Sequence, residues 1–259
     1  MNLALQLRRG LSAEIYKFKG TLAFWPLIIA PAFIPFINFM ILWRKGDSLI
    51  QPGTNAWDAL LNLSINPGNF LFPFFLIMLA LLVNNIEYNA NTWKQIYSQS
   101  LSRTAVYLSK VKAFLLMTFI SLFLFASFTL LVGFLLRYIS PDLGFEEGLN
   151  LGLFYAFYLK MFLTVLGMAS IQFWISQQSK NLILPLGIGI AGVISVIILI
   201  QGWKYTKYHP YGYHIFGNSG FQEEGFEIWG SMDPVYYSVG LAIIVFILAG
   251  VQQVKRRIM

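Results

Sequence analysis

Residues Leu22 to Trp43 read LAFWPLIIAPAFIPFINFMILW, without one charged side chain. A helix needs about 20 apolar residues to cross the hydrocarbon of a bilayer. A helix also satisfies its own backbone groups where no water can. Comparable apolar runs recur at about Asn69–Val83, Ala113–Leu136, Leu151–Ile175, Leu182–Gly202 and Val235–Val251. The 259-residue chain is 57% hydrophobic and only 11% charged, about half the charged share of an ordinary soluble domain. The expected fold is an all-α polytopic membrane protein forming one transmembrane domain. Its transmembrane helices, six in all, are expected over 22–43, 67–87, 106–137, 151–176, 181–202 and 235–254.

Lysine and arginine set the expected orientation. With the N-terminus in the cytosol, cytosolic segments hold Arg8, Arg9, Lys17, Lys19, Lys94, Arg103, Lys110, Lys112, Lys180, Lys255, Arg256 and Arg257. External loops hold Arg44, Lys45, Arg137, Lys204 and Lys207, and Lys160 is left inside a span. Both termini are therefore expected inside. The net charge of +7 reads as a topology signal, not a nucleic-acid footprint. The first span follows a basic, polar stretch with no A-x-A-like site after it, so it is read as a signal anchor.

Cysteine is absent, which removes disulfides, thiol catalysis and Cys-metal sites. No Gly-Lys dipeptide occurs, hence no Walker A loop. The chain is expected not to be an enzyme and to bind no cofactor or metal. His209 and His214 share one loop, but their spacing suits no helical pair and no third ligand is evident.

Residues 1–20 suit an interfacial helix. Leu3, Leu7, Leu11, Ile15 and Phe18 share one arc and the basic residues the rest. Glu14 falls inside the apolar arc, against the pattern; an ordinary basic flank is the alternative. Pro26, Pro31 and Pro35 each invite a kink in the first span. The external loop Arg44–Asn66 carries turn signals at Gln51-Pro52-Gly53 and Asn66-Pro67-Gly68. Gly187-Ile188-Gly189-Ile190-Ala191-Gly192 matches a dinucleotide fingerprint in letters only. It follows no strand, and close helix approach at Gly187 and Ala191 explains it better. The aromatic, glycine-rich segment 203–234 suits short half-inserted helices at the outer interface, a re-entrant-like loop between the fifth and sixth helices.

Lys160 lies within the fourth span, where a lysine is costly unless it snorkels, pairs or faces a wet cavity. Snorkelling outward and lining an outward vestibule on the translocation path both remain open. Between the second and third spans, residues 89–102 form a basic amphipathic segment. Trp93, Ile96, Tyr97 and Leu101 share one face of a short helix. Ser102 suits the N-cap of the third span, with Arg103, Lys110 and Lys112 near the membrane surface.

Glu87-x(3)-Asn91-Thr92-Trp93-Lys94-Gln95 followed by Ser102-Arg103 and a later lysine resembles the segment after the second helix of ABC-2-type transporter permeases. The span layout, Glu14-x-x-Lys17-x-Lys19 and the long loop before the last span are similar to the same family. The short stand-alone permeases of lantibiotic-immunity and peptide-exporter type look nearest, although Ser100 stands where many relatives carry proline. The resemblance implies a coupling helix at 89–102 docked in a groove of a separate cytosolic ATP-binding cassette subunit. Glu87, Asn91, Thr92, Trp93, Lys94, Ile96, Tyr97 and Arg103 would form that contact, with Glu87 pairing Arg103 or the N-terminal bases. Gln177, Gln178 and Lys180 would make a second, smaller one. ATP and Mg would sit on the partner, and a second permease copy would complete the path through the bacterial cytoplasmic membrane.

The expected function is export, or efflux, of an amphipathic or lipid-like cargo such as a peptide antibiotic, lipid or hydrophobic drug, and so antibiotic resistance. A non-transporting scaffold or sensor that docks an ATPase, in an immunity or motility complex, is the alternative. A secondary transporter is disfavoured by the lack of embedded carboxylates and inverted repeats.

Overall fold

The computed structural model describes residues 3–19, 24–50, 54–89, 102–146, 148–179, 181–218 and 231–255, the side chains of 86–89 excepted. All regular structure among the described residues is helical. The long elements are α1 (Leu3–Phe18), α2 (Pro26–Leu49), α3 (Ala56–Asn89), α4 (Arg103–Ile139), α5 (Leu151–Gln178), α6 (Ile183–Leu199) and α8 (Asp233–Lys255). The short α7 (Tyr213–Asn218) and 3-10 turns at Pro141–Leu143 and Lys204–Tyr208 complete them. Helices α2, α3, α4, α5 and α8 are long and apolar enough to span a bilayer. The sixth expected span, α6, is apolar but has 17 residues. At about 1.5 Å per residue it reaches roughly 26 Å, short of the ~30 Å core.

Local chemistry explains the ends. Ser102 caps α4 as expected, its side chain accepting from the Ala105 amide at 3.2 Å. Asn150 caps α5 by accepting from the Leu153 amide at 3.1 Å. Gly144, at φ 83°, takes the left-handed conformation that closes the turn after α4.

The first span differs from expectation. Pro26 opens α2, where its missing N–H costs nothing. Pro31 and Pro35 are interior, yet the non-helical backbone lies at Lys45. The second span differs more. Helix α3 begins at Ala56, so most of the expected 44–66 loop is helix and Asn66-Pro67-Gly68 is no turn. The Asn55 side chain accepts from the Trp57 amide at 2.8 Å and starts the helix. Trp57, Leu60, Leu61, Ser64 and Ile65 then bury one helical face. That burial, with Ser64 Oγ accepting from Asn38 Nδ2 of α2 at 2.9 Å, carries the helix through Pro67.

The core runs along the bundle. Helix α5 packs on α3 and α8, α2 on α4, and α1 crosses the start of α4. One end, here the near end, gathers α1, the end of α3, the start of α4, the end of α5, the start of α6 and the end of α8. The other end carries Trp57, stacked edge-on against Phe134 and Phe145, each at 5.3 Å. There α7 is held to α3: His214 Nε2 donates to the Asn69 carbonyl at 2.8 Å, and Asn218 Nδ2 to Asn69 Oδ1 at 2.8 Å.

The close approach of α6 is made by glycines other than those expected. A Cβ on Gly187 would meet nothing within 4 Å. One on Gly189 would lie 2.7 Å from Gln172 Nε2, and one on Gly192 2.8 Å from the Tyr211 ring. Gln172 Nε2 donates to Tyr211 Oη at 2.6 Å, so this pair forms the seat of α6.

Candidate functional site at the near end

Helix α1 is amphipathic, and its buried seam is rotated from the expected arc, sharing Phe18 and Glu14 with it. Gly10, Glu14 and Phe18 are buried while Leu3 and Ile15 are exposed. Gly10 lies against Ser109 of α4 so closely that no Cβ would fit. Ser109 Oγ donates to the Leu7 carbonyl at 3.3 Å, and the Ser102 amide donates to Gln6 Oε1 at 3.0 Å.

One turn along, Glu14 meets Lys110. Lys110 Nζ lies 3.2 Å from Glu14 Oε2 and donates to the Val83 carbonyl of α3 at 3.1 Å. Lys17 Nζ lies 2.6 Å from Glu14 Oε1. The side chains of Lys110 and Glu14 are 1% and 5% exposed. Lys110 is thus buried inside the protein, and its partner carboxylate lies on α1, outside the membrane-spanning helices. Burial pushes the Glu14 carboxyl up, but Lys110 and Lys17 outweigh it and hold the group below its ordinary 4.5.

The expected coupling residues Asn91, Thr92, Trp93, Lys94, Ile96 and Tyr97 lie outside the described residues, as does Lys180. Glu87 belongs to α3, its side chain outside the description. Arg103 is exposed and its Nη1 donates to the Val254 carbonyl of α8 at 3.2 Å. Gln177 is buried, at 2% exposure. Gln178 exchanges hydrogen bonds with Gln252 of α8, at 2.9 and 3.1 Å, and Trp174 Nε1 donates to the same Gln252 Oε1 at 2.7 Å. Tyr107 Oη donates to the Phe246 carbonyl at 2.6 Å. The end of α8 therefore links the start of α4 to the end of α5. The sequence reading missed Glu14, Lys110, Trp174 and Gln252 as site residues. The misfit of Glu14 in its apolar arc, and its place in the Glu14-x-x-Lys17-x-Lys19 pattern, hinted at the first of them.

Lys160 is 1% exposed, so its side chain does not reach the surface of the chain. A groove of about 550 Å³ opens between α2 and α3 over α4, lined by Ile29, Phe33, Leu71, Phe75, Met78 and Phe125 among others. Toward the far end, His209 Nδ1 accepts from the Tyr211 amide at 3.2 Å, which leaves Nε2 to donate to Ser195 Oγ at 3.2 Å. Burial lowers the His209 pKa, and lowers that of His214 to about 4 against the opposing bond to Asn69. Among the described residues no three His, Asp or Glu side chains gather as a metal site.

The arrangement offers mechanical linkage and an apolar surface. No curated protein matches the chain. A family model described as "ABC-2 family transporter protein" matches residues 10–198, from the seam of α1 through α6. With that match over most of its length and its apolar spans, this membrane protein belongs to the ABC-2 transporter family.

Proposed function

We propose that the chain is the transmembrane permease subunit of an ATP-driven transporter, exporting an amphipathic or lipid-like cargo. The family match over 10–198 carries the reading, since permeases of this family generally work with a cytosolic ATPase subunit. The near end faces the cytosol, in keeping with the excess of lysine and arginine there. Six helices cross the membrane, with α6 the shortest, and a second permease copy completes the path in the bacterial cytoplasmic membrane. ATP and Mg bind the ATPase, which seats the 89–102 coupling helix, with a second contact at Gln178 and Lys180. The apolar groove between α2 and α3 suits a lipid-like tail, because its lining offers dispersion contacts and few polar partners.

Co-purification with a soluble ATPase, lost in Trp93→Ala or Glu87→Ala, is the expected result. A fully active single chain would refute the reading. Export into vesicles only with ATP separates the transporter from a docking scaffold. Lys160→Met, expressed normally, is expected to cut transport at least fivefold in the same assay. Unchanged transport would remove Lys160 from the path.

A further inference from the structure

Both roots of the 89–102 segment meet at one buried cluster. Val83 lies near the end of α3, and Ser102, Ser109 and Lys110 lie in the first turns of α4 or at its cap. Helix α1 touches α4 through Gln6, Leu7, Gly10 and Glu14, and Lys110 carries the contact on to Val83. A buried lysine and a buried glutamate are each costly when separated from the other. Sliding α1 along α4 would break the ion pair and drive Ser109 into the backbone at Gly10. We infer that Glu14 and Lys110 are positioning residues that pin α1 to both roots, so that α1 and the near ends of α3 and α4 move as one body. Whatever displaces the 89–102 segment then displaces the interfacial helix with it. The functional part of this inference rests on the permease reading; the pinning itself does not.

The pin is tested first on the chain alone in lipid nanodiscs. Glu14→Gln with Lys110→Met removes both charges without orphaning either. Amide exchange across α1 is expected to rise more than tenfold, with α5 and α8 unchanged. Unchanged α1 exchange would overturn the pin, whether or not an ATPase binds. The single-body motion is tested in the complex with its ATPase, using the cysteine-free background. In Gly10→Cys with Ser109→Cys, the Cβ atoms start 2.9 Å apart, and the helices need only part slightly for a disulfide, whose Cβ pair averages about 3.8 Å. ATP turnover is expected to agree within twofold between the oxidised and reduced forms. The charge-free variant is expected to lose at least fivefold and to regain it on cross-linking. A tenfold loss on oxidation, restored by reductant, would show that α1 must slide and would sink the proposal. Full turnover of the charge-free variant would reduce the pair to a folding contact. Failure of any ATPase to bind the native chain strikes the permease reading instead, while the exchange result still decides the pin.

Discussion

Glu14→Ala is expected to destabilise the bundle by about 3–5 kcal/mol, because it takes the Glu14 carboxylate away from the buried Lys110. Thermal unfolding in detergent micelles at neutral pH is the measurement, and Glu14→Ala with Lys110→Met is expected to recover most of the loss. Replacing both charges together is far cheaper than removing one, since the buried Lys110 ammonium goes with its carboxylate, and Lys17 is partly exposed. The pH dependence carries the same signature. The folded carboxyl titrates below its ordinary 4.5, so its contribution is present above about pH 4.5 and is lost as pH falls through the folded value. The native chain should therefore lose stability more steeply below pH 4.5 than Glu14→Gln does. Parallel acid profiles for the two would remove the ion pair as the cause.

Trp57→Ala is expected to cost about 3–5 kcal/mol, the range for deleting a large buried aromatic. Trp57 is 2% exposed and packs edge-on against Phe134 and Phe145. Gly133 of α4 lies directly beneath it, where a Cβ would collide with the indole. The shape is thus fixed from both sides, and little can collapse into the void. Trp43→Ala, at a side chain 50% exposed, is the comparison and should change stability by less than about 0.5 kcal/mol. Equal shifts in unfolding temperature for the two would show that the Trp57 cluster is not a packed core.

These two sites differ in how far they could be read from the letters. The Trp57 helix was legible in principle, because Trp57, Leu60, Leu61, Ser64 and Ile65 keep a helical spacing. Asp58, Asn66 and the Pro67-Gly68 pair hid it by imitating a loop, and helix–helix burial overrode that local signal. Glu14 and Lys110 lie 96 positions apart. No periodicity relates them; Glu14 reads as a misfit in an apolar arc and Lys110 as a charge near the membrane surface, and neither names the other. Gln178 and Gln252, 74 positions apart, were hidden in the same way. The glycines of α6 were visible as small residues, but which ones meet a neighbour depends on the rotation of the helix against Tyr211 and Gln172.

Sequence alone determined the apolar helices, their approximate order and the Ser102 cap, because hydrophobic run length and capping are local properties of the chain. Resemblance in the 87–112 segment pointed to the family, and the match over 10–198 bears that out. Tertiary structure alone decided that α3 runs on through Pro67 and how α1 is rotated against α4, and it alone paired Glu14 with Lys110. Those outcomes depend on what a side chain meets across the bundle. A charge that is cheap in water becomes costly once buried, and only the fold can supply its partner.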